Sequence, residues 1–364
     1  NVPLAKSLTP NLDTLVQHGR MFRNFYANGT RSVESIPALL NSMPEIFRRP
    51  TIGSRYVNNT HYGLPFMLKE RGYTNAFFCG AHNGTMSFDT YTRISGIDNY
   101  FGMNEYPHAE RDFNGYWGCD DGPILQWMAG EQDKFKEPFF TTFFSISNHH
   151  PFHLPKEQTE AIAQLPLTDM EKTVMYTDLV LGQYFQKVRE YDWFENTIFI
   201  VTGDHCFHTK QDQEQDQART IMDDFHVPLF VMGPGIEPGF DDRTGSHISL
   251  LPTLIECLRL DTWHSSSAIS LLDSTRNPYV IHNLMGMRTL AHEAQAYSTN
   301  FEKPLIILEM ENRKWGKVDI SQGAKLNKWR GMDLKLRSLY QELLNARIGN
   351  RFQARSADII GLAN

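Results

Sequence analysis

Short apolar runs alternate along the chain with longer stretches in which apolar residues recur every three or four positions. The first pattern belongs to buried strands and the second to amphipathic helices, so the expected class is α/β. Thr74 to Cys79, Phe139 to Ile146, Thr197 to Thr202 and Val227 to Met232 are apolar runs of strand length, the last two followed at once by glycine. Met21 to Tyr26 reads as a further strand. Pro10 to Gly19 is expected as a helix, with Thr9 as its cap, proline in its first turn and Gly19 at its end. Ser35 to Ser42 reads as a helix after a tight Asn28-Gly29 turn, and Ser249 to Leu260 as another. Thr168 to Tyr191 carries Met175, Leu179, Leu181, Phe185 and Val188 at helical spacing, so a long helix should bury its tyrosine and leucine stripe. Together these elements predict a mixed, mostly parallel central sheet sandwiched by helices.

The texture changes after about Ser265. Tyr279 to Ile281 and Leu305 to Leu308 suggest strands of a smaller sheet, and Met332 to Ala346 a closing amphipathic helix. The expected division is a main domain over residues 1–264 and a small C-terminal α+β subdomain over 265–364. Gln211 to Gln217, polar and Gln-rich, reads as a solvated surface excursion.

Composition narrows the function classes. With 364 residues, 41% hydrophobic and 21% charged, the chain has an ordinary globular balance and enough length for a large core. A net charge of -7 and a pI near 6.1 argue against a nucleic-acid partner, which would more often require a basic stripe. No run approaches the roughly 20 apolar residues that span a bilayer. The chain opens on Asn1, so a membrane anchor is expected upstream of it. Cys79, Cys119, Cys206 and Cys257 are widely spaced and form no CxxC pair, which leaves a disulfide open and disfavours a zinc knuckle.

Five segments carry candidate chemistry. In Ile198-Phe199-Ile200-Val201-Thr202-Gly203-Asp204-His205 a buried strand delivers a carboxylate and an imidazole at its carboxyl end, where open α/β sheets place ligands. Both could face one cation if Gly203 permits a sharp turn, or they could cap a following helix. Thr30, in Asn28-Gly29-Thr30-Arg31-Ser32, presents a hydroxyl beside a helix start, where an anion is favoured; a plain cap is the alternative. His149, His150 and His153 follow an apolar strand and could ligate metal or donate to phosphate oxygens. His226 to Gly235 is a strand running into a tight turn, and Ser246 to Leu254 a helix start with proline.

Taken in order, Pro10-Asn11-Leu12-Asp13, Asn28-Gly29-Thr30, Gly203-Asp204-His205, Val227-Pro228-Leu229 with Gly233-Pro234-Gly235, and His247 with Pro252-Thr253-Leu254 resemble the sulfatase-type branch of the alkaline phosphatase superfamily. The resemblance covers about residues 9–260 and implies an alkaline phosphatase-like fold. Thr30-Arg31-Ser32-Val33-Glu34 lacks the C/S-x-P-x-R signature of arylsulfatases. A threonine there is similar to the lipoteichoic acid synthase-like phosphoglycerol transferases. That similarity implies Thr30 as nucleophile and metal ligand, and Asp204 and His205 as metal ligands. It implies one divalent ion, manganese foremost, with zinc, magnesium or calcium as alternatives. It places His149 on the substrate phosphate and Arg93 near the glycerol phosphate; Arg31 and Trp117, the latter in Trp117-Gly118-Cys119-Asp120-Asp121, complete the expected substrate contacts. A phospholipid head group is the implied substrate, on the extracytoplasmic face of a membrane. A sulfatase-like or phosphodiesterase hydrolase, and a non-catalytic binding domain of a membrane protein, are the alternatives. One feature departs from the family: its remaining ligand is a glutamate before the Pro-Asn-Leu-Asp helix, and none of the nine residues before Pro10 is acidic. Either the site is built differently or, as expected, the strand that bears it lies upstream of residue 1.

Overall fold

The computed structural model of the protein describes residues 7–47, 49–156, 159–207, 219–262, 264, 266–318 and 323–351, with the backbone alone for 323–328. The Gln211 to Gln217 excursion lies outside the described residues. In chain order the strands begin with β1 (Arg20–Phe22), β2 (Phe25–Tyr26), β3 (Thr74–Cys79), β4 (Asn99–Phe101) and β5 (Phe139–Phe144). They continue with β6 (Phe199–Thr202), β7 (Leu229–Met232), β8 (Gly239–Asp241) and β9 (Gly245–Ser246). The last five are β10 (Tyr279–Leu284), β11 (Met287–His292), β12 (Gln295–Thr299), β13 (Pro304–Glu311) and β14 (Lys314–Lys317). The chain divides into two units, residues 1–20, 68–199 and 231–239 in one, and 21–67, 200–230 and 240–364 in the other.

In the first unit β3 pairs in parallel with β4 on one side and β5 on the other. Both of its faces carry aromatic pairs: Phe78 stacks on Phe101 with ring centroids 4.5 Å apart, and on the opposite face Phe77 stacks on Tyr100 at 5.7 Å. Such rings suit a strand because they fill the pleated surface against same-face neighbours. The helix Asp169–Val188 opens on a capping box, in which Thr168 and Glu171 satisfy each other's backbone N–H groups. Its buried residues are Thr173, Tyr176, Asp178, Val180, Tyr184, Phe185 and Val188, so the tyrosines, Phe185 and Val188 are inside as expected, whereas Met175, Leu179 and Leu181 are only half-buried. Asp178 is held inside with them. Asp178 accepts the backbone N–H groups of Asn11 and Leu12 and the Asn11 side-chain amide, at 2.8–3.0 Å. It therefore supplies the N-terminal partner that Thr9 does not. Thr9 makes no side-chain cap, and its hydroxyl points to Asp13 instead.

The second unit holds the parallel pair β2–β9 and most residues of a four-stranded sheet in the order β6-β7-β1-β8. The expected Met21 to Tyr26 strand is thus two strands, and the break falls at residues 23–24, where Arg23 and Asn24 both turn to Asp242. The C-terminal α+β subdomain is present, and its sheet is an antiparallel meander β10-β11-β12-β13-β14. Ile281, Leu290, Tyr297 and Ile307 of that sheet share one core with Trp329, Leu336 and Leu343 of the helix Gly323–Ile348. Ala38, Met43 and Ile46, in and just after the helix Ser32–Asn41, belong to the same core. The four cysteines are unpaired. Among the described residues no helix is long and apolar enough to cross a membrane.

Candidate functional site

The helix Ser32–Asn41 starts three residues earlier than its hydrophobic pattern predicts, and Thr30 lies two residues before it. Thr30 is not a cap. Its backbone N–H and its hydroxyl both donate to Oε2 of Glu34, at 2.8 and 3.2 Å. The guanidinium of Arg31 binds the other oxygen of the same carboxylate at 2.5–3.0 Å. Gly29 is required by this closeness rather than by a left-handed backbone, since a Cβ there would stand 2.3 Å from Cβ of Glu34.

Asn28 anchors the other end of the turn and is fully buried. Its side-chain amide donates to the Ile281 carbonyl at 2.7 Å, and its side-chain oxygen accepts the N–H of Ile248 at 3.1 Å. Its backbone N–H points to Nδ1 of His247 at 3.4 Å. The other nitrogen of His247 meets the Gly203 carbonyl at 3.0 Å, which assigns the proton to Nε2. His247 thus bridges the Thr30 turn and the end of β6, where Asp204 and His205 follow. Burial pushes its pKa down to about 4, against the opposing pull of the Gly203 carbonyl and the Asp204 carboxylate, so the ring is neutral.

Gly203 turns the chain without a positive φ; a Cβ on it would press Val227 at 3.2 Å. The His205 backbone N–H donates to Oδ1 of Asp204 at 2.9 Å, and His205 Nδ1 meets the Cys206 carbonyl at 2.9 Å. Among the described residues two acceptors are thereby left without a hydrogen bond. Oδ2 of Asp204 is buried with no hydrogen bond, and Nε2 of His205 lies 3.7 Å from it. Two ligand atoms bound about 2.1 Å from one ion stand roughly 3.4 Å apart at a tetrahedral angle and farther at a wider one. The pair therefore fits a shared divalent cation better than it fits a helix cap. Among the described residues no third His, Cys, Asp or Glu joins them.

In the first unit the segment after β5 is fastened by Asp121, fully buried at the start of the helix Asp121–Gln132. Its carboxylate takes the Ser145 hydroxyl at 2.5 Å and the N–H groups of Ile146 and Ser147 at 2.8 and 3.3 Å. The ring of His149 then packs 5.4 Å from that of Trp117, whose indole N–H donates to the His150 carbonyl at 2.7 Å. His149 and Trp117 are thus brought together. His153 turns away to Asp120, at 3.3 Å. Arg93 stands exposed on the last turn of the helix Phe88–Ile94, and among the described residues no ion pair holds it.

Glu34, Asn28 and His247 hold the Thr30 turn; the sequence places Asn28 in that turn but assigns no role to Glu34 or His247. The available signal was Glu34 four residues beyond the hydroxyl, with a glycine before it. For His247, no spacing rule connects position 247 with positions 28 and 203.

The chain as a whole has known relatives. The chain is 25% identical over 276 residues to lipoteichoic acid synthase 1 of Bacillus subtilis, a match covering 71% of this chain and 43% of that protein. It is 23% identical over 300 residues to the lipoteichoic acid synthase-like YvgJ of the same organism, covering 76% and 48%. The chain thus spans less than half the length of these relatives. Among solved structures, an alkaline phosphatase superfamily protein of Vibrio parahaemolyticus superposes with a TM-score of 0.81 at 24% identity, over 96% of this chain and 83% of that one. The lipoteichoic acid synthase LtaP of Listeria monocytogenes gives 0.77 at 19% identity, over 96% and 88%. These likenesses carry the alkaline phosphatase-like fold. The sulfatase family model matches residues 3–260, and the chain belongs to the sulfatase family.

Proposed function

We propose that the protein is a metal-dependent phosphoglycerol transferase that acts on a phospholipid head group through a covalent phospho-threonine at Thr30, on the extracytoplasmic face of a membrane. The observation that carries the proposal is the pair of free acceptors on Asp204 and His205, tied through His247 to the turn that presents Thr30. The similarity to lipoteichoic acid synthases supports the substrate class. Asp204, His205 and the Thr30 oxygen would hold the cation, which we assign as manganese. When bound, such an ion lowers the pKa of a hydroxyl and polarises a phosphoryl oxygen.

The chain's own groups supply the rest. Thr30 Oγ1 forms the new P–O bond as the bond from phosphorus to the diacylglycerol oxygen breaks, and an acceptor hydroxyl then takes the group from Thr30. Arg31 would neutralise charge that grows on the phosphoryl oxygens; in the first unit His149, with Trp117 packed beside it, is assigned by the family similarity to the substrate phosphate. Arg93 completes the proposed contacts to the glycerol phosphate.

The test offers the purified chain manganese with phosphatidylglycerol and, separately, with an aryl sulfate. The expected result is diacylglycerol release that vanishes in Thr30→Ala and on chelation. Rapid sulfate release with no action on the lipid would replace the proposal with a sulfatase-like hydrolase.

A further inference from the structure

We infer that Glu34 is a positioning residue for the nucleophile: its carboxylate sets the direction of the Thr30 hydroxyl and holds Arg31 beside it. The inference rests on the reading of Thr30 as nucleophile and assigns a part of that site which the sequence resemblance does not.

Three observations carry it. First, one oxygen of Glu34 accepts both the backbone N–H and the hydroxyl of Thr30, at 2.8 and 3.2 Å. A threonine side chain has a single soft torsion before its oxygen, so fixing the O–H direction also fixes where the remaining lone pairs of Oγ1 point. Second, the other oxygen takes Nε and Nη2 of Arg31 at 3.0 and 2.5 Å. A guanidinium has five donors in a rigid fork, so those held leave the others directed away from Glu34, where an anionic phosphoryl group can use them. Third, the contact is built into the backbone. Any side chain at Gly29 would collide with Glu34, and the Glu34 side chain is only 14% exposed while Arg31 is 58% exposed.

Helix capping is the competing role. Glu34 is the third residue of the helix, where a glutamate often reaches back to the N-cap N–H. Here it passes the N-cap, Arg31, and reaches Thr30 instead, and it also takes the hydroxyl. Glutamine serves in capping boxes as glutamate does. Glu34→Gln therefore keeps a cap, but it puts an NH2 against the Arg31 guanidinium and removes the charge that both residues share.

The experiment measures three quantities in the parent chain, Glu34→Gln and Glu34→Ala, with diacylglycerol release in Thr30→Ala as the control. They are the rate of Thr30 labelling from phosphatidylglycerol with manganese, read by mass spectrometry; the thermal midpoint; and amide exchange at Thr30. Glu34→Gln should melt within about 2 °C of the parent and label Thr30 roughly 10²-fold more slowly at unchanged KM, the penalty of a misdirected reacting group. Glu34→Ala should speed amide exchange at Thr30 whether or not the lipid is a substrate. Labelling at the parental rate in Glu34→Gln, a rate loss that only follows a loss of folded protein, or unchanged exchange in Glu34→Ala would each overturn the inference. Failure of the underlying function shows separately, as full activity in Thr30→Ala.

Discussion

Two buried histidines make the second unit sensitive to acid. His282 lies on β10 with both ring nitrogens unpartnered, stacked on Phe225 with ring centroids 3.7 Å apart. Burial pushes its pKa down to about 3, and that of His247 to about 4. Both are neutral in the folded chain, whereas an unfolded histidine takes up a proton below about 6.5. Stability contributed by these groups is therefore fully present above about pH 6.5 and is lost as pH falls toward 4 and then 3. The loss amounts to about 2 kcal/mol for each at pH 5. Urea unfolding from pH 8 to 5 should show this acid limb, and His282→Phe should make it shallower at little cost near neutrality. An unchanged limb in that variant would remove His282 as a source. The residue type alone could not have shown this, since a histidine in a strand is as readily a ligand as a packed ring.

At the scale of elements, the helix Asp169–Val188 illustrates how a pattern and a contact share the decision. Its periodicity was readable in the sequence, and it places the helix within about three residues at either end. The burial of Asp178 was not readable, because that carboxylate points inward to receive the first turn of the helix Pro10–Val16. A carboxylate holding two backbone N–H groups and an amide is a charge-assisted anchor. Asp178→Ala should cost about 2–3 kcal/mol, since it leaves those donors without a partner in a part-buried place. Equilibrium unfolding measures it, and a loss under about 0.5 kcal/mol would mean that water replaces the carboxylate.

On the scale of the whole molecule, the C-terminal sheet supports the Thr30 turn within the second unit. Asn28 donates to Ile281 of β10, and Trp315 of β14 donates its indole N–H to the Tyr26 hydroxyl at 2.8 Å. Asn28→Asp would set a carboxylate oxygen against the Ile281 carbonyl, two acceptors facing each other in a buried place. The expected cost is about 2–4 kcal/mol in unfolding free energy, with a loss of activity beyond what the unfolded fraction explains. Parental stability would show that the amide contact is not what holds the turn.

Local order determined the class of the protein. The strand runs, the glycines after β6 and β7, and the Asp204-His205 pair at a strand end are features of adjacent residues, which a linear reading captures. So is the threonine at position 30. The partners were decided elsewhere: His247 joins positions 28 and 203, Glu34 turns back past its own helix cap, and Asn28 reaches position 281. A hydrogen bond between residues far apart in the chain leaves no period and no spacing behind it. It exists because folding removes water from both groups, and each must then find the other.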